Sequence, residues 1–396
     1  MTQDEQLQII RRGTVEIIGE SEILERIKAG RILRVKLGVD PTAKDVTLGW
    51  AVVLRKLRDF QKLGHIACLI IGDFTAQIGD PSGKSKTRKQ LTTEEVQANV
   101  EAVSKQFFRI LDPAKTEIYY NKDWLGKMGF EDVIRLCSRY TVARIMERDD
   151  FTKRFANHEP IAMHEILYPL CQGMDSVEIK SDIEIGGNDQ KFNNLVGRTL
   201  MEQYGLEPQA VVLCPLLVGT DGKEKMSQSL GNYISITDDP NTMFGKTMSI
   251  PDETIANWFE LCTDVPLAEV AAMMADGKNP RDAKVRLARE IVALYHSNVE
   301  ADAAVQFFVD TFSQRKVVTE AEDAAIPAEL VADGLVNIPS LVVALGLGAS
   351  NGKVKDLITA GAVALDGEKV TALSMPHDQL VGKILKVGKH QFRKLV

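Results

Sequence analysis

In the stretch YPLCQGMDSVEI, Tyr168, Gln172 and Asp175 stand at i, i+4 and i+7, so a helix would carry a phenol, an amide and a carboxylate on one face. Those groups sit among Leu, Met and Val, and an unpaired buried polar group costs about 1–3 kcal/mol. A ligand with both an ammonium and a hydroxyl would satisfy them. Next comes IEIGGNDQKFNN (183–194), which reads as a strand entering Gly186-Gly187, with Asn188, Asp189 and Gln190 at its carboxyl end. A third stretch, IGDFTAQIGDPSGKSKTR (71–88), leaves a strand through two Gly-Asp pairs and then collects Lys84, Lys86 and Arg88, with Lys89 following. Glycine beside concentrated positive charge suits a loop that closes over a polyphosphate. The G-x-x-x-x-G-K-S/T spacing of a Walker loop is absent, and a solvated basic loop is the competing reading. VGTDGKEKMSQSLGN (218–232) is by composition a cationic loop, carrying Lys223 and Lys225 between glycine turns.

DPTAKDVTLGW (40–50) joins an apolar run to an amphipathic one around Gly49 and Trp50. A strand that turns abruptly into a helix sets first-turn N–H groups and the positive end of the dipole at the carboxyl edge of a sheet. Ligands of α/β folds bind there. Gly49 lets a flat or anionic ligand approach the backbone.

Positioning these stretches requires a sheet. LRVKLGV (33–39), IACLIIGDF (66–74) and EIYYN (117–121) are short apolar runs separated by helical periods from about Leu33 to Val218. That alternation predicts parallel strands buried on both faces, hence a Rossmann-like, doubly wound α/β sheet. Thr92 and Glu95 form a capping box opening a helix over about 94–110, which Pro113 stops. The segment DVIRLCSRYTVARIMERDDFTKRFAN is read as helix with apolar and charged residues mixed around much of its circumference, a pattern that suits burial against another subunit as well as against its own core. Past Pro251 the spacing of Val285, Ala288, Ile291, Val292 and Tyr295 predicts amphipathic helix. Residues 316–334 read as an acidic, alanine-rich linker, and the chain closes in a helix, helix, strand, strand pattern with Asp366-Gly367 as a turn.

At 396 residues the chain exceeds one ordinary core, and 44% apolar with 26% charged residues is the composition of a soluble globular protein. No apolar run reaches the roughly 18–20 residues of a membrane span, and charges scattered through the first twenty residues exclude a signal-peptide core, so a cytoplasmic location is expected. Five cysteines lie far apart without a C-x-x-C pair, which predicts free thiols and no protein-ligated metal. The net charge of −7 argues against a uniformly basic nucleic-acid binder. From Asn337 onward, however, eight Lys and Arg face four Asp and Glu, which suits a local polyanion contact, with a solvated charged face as the competing and commoner reading.

Taken together and in this order, KLGVDPTA, IGDPSGK, YPLCQGMD, GGNDQKFN and KMSQSLGN resemble the bacterial tyrosyl-tRNA synthetases, a class I aminoacyl-tRNA synthetase family. The resemblance spans essentially the whole chain and includes the long string YTVARIMERDDFTKRF. It implies a catalytic domain over 1–240 with a dimer-interface insertion at about 125–160, a helical anticodon-binding domain over 241–325, and a small α+β RNA-binding module of ribosomal-protein type over 335–396. It implies ATP as substrate with Mg²⁺ carried on it, L-tyrosine and tRNA(Tyr) as partners, a homodimer meeting across Val133 to Phe155, and no membrane or DNA.

Position by position, the resemblance makes Asp80, Tyr168 and Gln172 holders of the substrate ammonium, Asp175 the acceptor of its phenol proton, and Gln190 a contact to its polar backbone end. Thr75 and Asn121 match the same pocket, as does Lys36, where many relatives have tyrosine. Asp40, Thr42, Gly49, Trp50, Gly187, Asp189, Val218, Lys225 and Gln228 match positions around ATP. Thr42, Thr47, Gly49, Lys84, Arg88 and Lys225 would act on the transferring phosphate. Forming an acyl-adenylate calls for positioned cations and donors rather than a protein nucleophile. A buried acceptor such as Asp175 rejects a ring without a hydroxyl, a rejection for which tyrosyl-tRNA synthetases are themselves the standard example.

Two class-defining signatures depart from the family pattern. His-Ile-Gly-His is here Thr47-Leu48-Gly49-Trp50, and the second lysine of Lys-Met-Ser-Lys-Ser is Gln228. Three potential cations are thereby lost, each worth roughly 1–3 kcal/mol if it acted through a charge-assisted hydrogen bond. Slower adenylation, or none, is the expectation. A tyrosine–tRNA ligase is the leading reading, and a catalytically weakened paralogue that binds tyrosine or RNA is the alternative.

Overall fold

The computed structural model describes residues 2–41, 44–80, 92–313, 323–332, 334–388 and 391–396. Two compact units divide it, Met1–Ala301 and Asp302–Val396.

The first unit is built on six strands, β1 (Glu16–Ile18), β2 (Arg34–Val39), β3 (Ile66–Ile71), β4 (Thr116–Tyr120), β5 (Ile183–Gly187) and β6 (Ala210–Cys214), in the order β1-β6-β5-β2-β3-β4. From β6 to β4 all pairs are parallel. Helices on the faces bury the central strands, so β2, β3, β5 and β6 lack the alternation of a half-exposed strand. Strand β1 lies outside the span predicted for the sheet and pairs antiparallel with β6. Its three residues, EII, are too few to show a period.

Helix α1 (Leu48–Lys62) follows β2, and α2 (Met163–Ile179) precedes β5, with α3 (Lys191–Gln203) after it. Pro169 lies inside α2, where it removes one hydrogen-bond rung. Packing holds the helix together, because Leu170, Met174 and Val177 of α2 bury against Val196, Leu200 and Met201 of α3. The helices approach closely through two glycines: a Cβ on Gly173 would stand 2.6 Å from a Leu200 methyl and 3.4 Å from the Gly197 Cα.

The capping box at Thr92 and Glu95 is present, and its helix runs Thr93–Phe107. The segment read as helical from Asp132 to Asn157 is instead three short helices, Phe130–Cys137, Val142–Met146 and Asp149–Ala156. Thr141 ends the continuity by capping the second of them through Arg144 N–H at 3.3 Å. Beyond the sheet, helix Pro280–Tyr295 buries Leu287, Ala288, Ile291, Val292 and Tyr295; Ala283, rather than Val285, completes the buried stripe. No helix among the described residues is long and apolar enough to cross a membrane.

In the second unit, helices Ile338–Ala344 and Asn351–Thr359 precede antiparallel strands Val363–Leu365, Glu368–Lys369, Ile384–Val387 and Gln391–Leu395. Asp366 and Gly367 have φ of 47° and 87°, the left-handed pair that a tight hairpin turn requires. Part of the stretch read as a linker is paired into this unit. Asp323–Ala324 runs parallel to Lys394 and Leu395, and Val331–Ala332 pairs with Leu335 and Val336.

Candidate functional site

The parallel strands all point their carboxyl ends at one cavity of about 550 Å³. From the end of β2 comes Asp40, from the turn after β3 come Gly72, Thr75 and Asp80, and Asn121 follows β4. From β5 and its turn come Glu184, Gly186, Gly187, Asp189 and Gln190, while α2 contributes Tyr168, Gln172 and Asp175 on one face, as their spacing predicts. The N-terminus of α1 supplies Thr47, Gly49 and Trp50, and the 218–232 loop supplies Lys225, Met226 and Gln228. One cavity therefore joins the groups expected around an aromatic amino acid to those expected around a nucleotide.

At its closed end lies Asp175, 3% exposed. Its two oxygens accept from Trp124 Nε1 at 3.0 Å and Asn121 Nδ2 at 3.4 Å. Burial is the main influence on this carboxyl and raises its pKa from 3.8 to about 7, against the lowering effect of Lys36 and the two donors. Tyr168 Oη donates to Asp40 Oδ2 and Thr75 Oγ1 donates to Asp40 Oδ1, each at 2.7 Å. Burial, with Asp40 and Asp80 nearby, holds the Tyr168 phenol well above its usual value, so it stays a donor. Gly72 is required for this arrangement, since a Cβ there would stand 2.0 Å from Asp40 Oδ1.

Further toward the opening, Gln190 Nε2 donates to Asp80 Oδ2 at 2.9 Å, and Arg148 stands 3.9 Å from Asp80 Oδ1. The Gln172 amide donates to Glu184 Oε1 at 3.1 Å, and its own oxygen accepts from Asn193 Nδ2 at 3.1 Å. Gln172 thus lines the wall with its amide already engaged.

At the other end, Thr47 caps α1 by accepting from Trp50 N–H at 3.3 Å, while Gly49 N–H points to Met226 Sδ at 3.2 Å. The cationic loop is folded onto this terminus. Gln228 Nε2 donates to the Asp45 carbonyl at 2.6 Å, Lys225 pairs with Asp189 at 3.2 Å, and Ser227 N–H donates to Asn232 Oδ1 at 2.8 Å. Truncating Gln228 to Ala is expected to raise trypsin cleavage after Lys223 or Lys225 roughly fivefold, the loss of about 1 kcal/mol of loop closure. An unchanged cleavage rate would assign the closure to Asn232 and Asp189 alone.

Two of the expected residues do not line the cavity. Val218 lies behind the loop, bridged to Lys225 and accepting from Trp258 Nε1 through its carbonyl. Lys36 is fully buried and ion-paired to Glu184 at 2.9 Å. Thr42, Lys84 and Arg88 fall outside the described residues. Glu184, Trp124 and Arg148 were not legible as site residues. Glu184 had one signal: Lys36 and Glu184 are charged residues inside buried strands, and the β2–β5 register sets them side by side.

Residues 28–313 match the family described as tRNA synthetases class I (W and Y). A tyrosine–tRNA ligase of Carboxydothermus hydrogenoformans is 50% identical over 99% of this chain and 97% of its own length. That of Thermotoga maritima is 48% identical over 100% and 98%. The chain belongs to the tyrosine–tRNA ligase family of class I tRNA synthetases. Among solved structures, a tyrosyl-tRNA synthetase of Archaeoglobus fulgidus complexed with L-tyrosine shares the fold, with a TM-score of 0.63 at 22% identity over 77% of this chain and all of that one. A truncated mitochondrial tyrosyl-tRNA synthetase of Coccidioides posadasii gives 0.63 over 76% and 91%. Within this synthetase family the Thr-Leu-Gly-Trp and Gln228 departures fall on one feature of the fold, the contact between the α1 terminus and the cationic loop.

Proposed function

We propose that the chain activates L-tyrosine with ATP and transfers the tyrosyl group to the 3′ end of tRNA(Tyr). The observation that carries this reading is the single cavity whose closed end presents Asp175 and whose mouth presents a helix N-terminus and Lys225. Tyrosine enters with its hydroxyl toward Asp175 and its ammonium toward Asp80, leaving its carboxylate beside Gln190 at the nucleotide end. The carboxylate attacks the α-phosphorus, pyrophosphate leaves, and tyrosyl-adenylate forms. The tRNA terminal hydroxyl then attacks the mixed anhydride and displaces AMP. Gly49, Thr47 and Trp50 offer neutral donors at the phosphates, Lys225 a cation, and Thr42, Lys84 and Arg88 belong to the same proposed set. Mg²⁺ enters on ATP; no metal-holding cluster of His, Cys, Asp or Glu is found among the described residues. Tyrosine-dependent ATP–pyrophosphate exchange followed by charging of tRNA(Tyr) tests the proposal.

The thioether at Gly49 N–H and the neutral Thr47, Trp50 and Gln228 favour a second reading, a tyrosine-binding or RNA-binding paralogue. Absence of exchange with tyrosine binding intact would select it. In either case residues 241–325 and 335–396 are the proposed RNA-contacting parts.

A homodimer is also proposed. Phe130, Ile134, Val142 and Phe155 in the 125–160 insertion, with Met163 just beyond it, leave large apolar side chains 54–82% exposed, which suits a protein–protein contact. Converting Phe130 and Phe155 to Asp is expected to weaken self-association at least ~30-fold per anchor and to shift the sedimentation coefficient to that of a monomer. A dimer that persists in this variant would place the interface elsewhere.

A further inference from the structure

Behind the cavity wall, Lys36 Nζ donates to the Gln172 carbonyl at 2.9 Å and to Ser176 Oγ at 2.7 Å, and pairs with Glu184 Oε1 at 2.9 Å. Glu184 in turn accepts from the Gln172 and Gln209 amides and from Ser176 Oγ at 3.3 Å. The pair and the two α2 residues it holds are all buried: Lys36 at 0%, Glu184 at 1%, Gln172 at 9% and Ser176 at 0% exposure. Hydrophobic residues of similar volume would usually stabilise a core at least as well as a buried ion pair does, so the pair has no evident role in stability alone. Its position gives it another role. Lys36 grips α2 at Gln172 and Ser176, which flank Asp175 on the same helix, and Gln172 is the wall residue whose amide Glu184 holds.

We propose that Lys36 and Glu184 are positioning residues for the phenol end of the cavity: they fix Gln172 and keep a cation behind Asp175, so that selection of a hydroxylated ring depends on a charge the ligand never touches. This inference rests on the tyrosine-activating reading and adds to it where the selectivity comes from. Among the described residues, the charged and titratable groups acting on Asp175 are Lys36 on β2, Glu184 on β5, and Tyr168 and Cys171 on its own helix, with Asp40 and Asp80 around Tyr168. Of these, Lys36 is the one cation. It opposes burial and keeps the carboxyl near the middle of the physiological range, whereas Glu184 opposes Lys36. An ionised Asp175 accepts from a phenol and is left short of a partner by phenylalanine, so the preference for tyrosine rises as pH rises through about 7.

The test is calorimetric titration of the full chain with L-tyrosine and L-phenylalanine from about pH 6 to about pH 8.5. Phenylalanine shares the ammonium and carboxylate, so the ratio of affinities isolates Asp175. Wild type is expected to show a tyrosine preference that climbs with a midpoint near the Asp175 pKa. In Lys36→Met with Glu184→Gln, which leaves no lone buried charge, the midpoint moves up by about one unit and the preference at neutral pH falls roughly tenfold. In Glu184→Gln alone the cation is unopposed and the midpoint moves down. Opposite shifts in the two variants are not produced by a merely structural defect. Unchanged midpoints in both folded variants overturn the proposal while leaving the activity reading intact. Wild type that fails to bind tyrosine overturns both. If the double variant does not fold, the direction of the single variant's shift decides.

Discussion

Replacing Thr47, Trp50 and Gln228 by His, His and Lys raises tyrosine-dependent ATP–pyrophosphate exchange by two to four orders of magnitude. The physical basis is charge. As pyrophosphate leaves, negative charge grows on the β- and γ-phosphates at the mouth of the cavity, where Thr47 and Trp50 offer only neutral donors and Gln228 a neutral amide. Each restored charge-assisted hydrogen bond contributes roughly 1–3 kcal/mol, and neighbours sharing one triphosphate are not additive, so the sum is less than three times that. The gain comes at a structural cost. The Thr47 hydroxyl caps α1, and its loss lowers stability by about 1 kcal/mol. Gln228→Lys surrenders the planar amide that holds the Asp45 carbonyl, although a lysine Nζ retains a donor. Exchange measured beside a urea midpoint separates the two effects. A fall in exchange in a folded variant would show that threonine, tryptophan and glutamine form a compensated site, with Met226 at Gly49 N–H as part of it.

The second large effect belongs to Asp175. Asp175→Asn is expected to lower kcat/KM for tyrosine roughly 10²-fold and raise that for phenylalanine, collapsing the ratio between them. The asparagine oxygen still accepts from Trp124 Nε1, but its NH₂ then meets the Asn121 NH₂, donor against donor. Stability moves the other way. Because burial raises the folded pKa of Asp175 from 3.8 to about 7, the stability that its protonated form contributes is present below about pH 4 and is lost as pH rises to about 7. The Asn variant lacks that loss and gains on wild type by up to a few kcal/mol across this window. Urea denaturation at the two ends checks it, and parallel pH profiles for wild type and variant would show that Asp175 is not burdened by burial.

Much of the site was readable because its residues are local in sequence. The i, i+4, i+7 spacing of Tyr168, Gln172 and Asp175 required only a helix, and α2 is one. Strand-end motifs fixed Asp40, Asp80, Asn121 and Asp189 at one sheet edge once the strands were parallel. Pairings between distant segments were not readable. A lysine in β2 looked like a pocket residue, yet it faces Glu184, 148 positions away, because the two strands happen to lie side by side. The break at Thr141 in the insertion was likewise hidden, since charged and apolar residues around all sides of a segment give no period to interrupt.

By itself the sequence determined the alternation of strands and helices from β2 to β5, the family, the residues at the strand ends and the loss of three potential cations, because propensity, periodicity and motif spacing are properties of neighbouring residues. Only the tertiary structure decided which partner each polar group takes: Gln172 turned to Glu184, Gly49 N–H to Met226, and Gln228 to the Asp45 carbonyl. A buried donor must find an acceptor within about 3 Å, and which acceptor lies that close is set by how the sheet and helices pack.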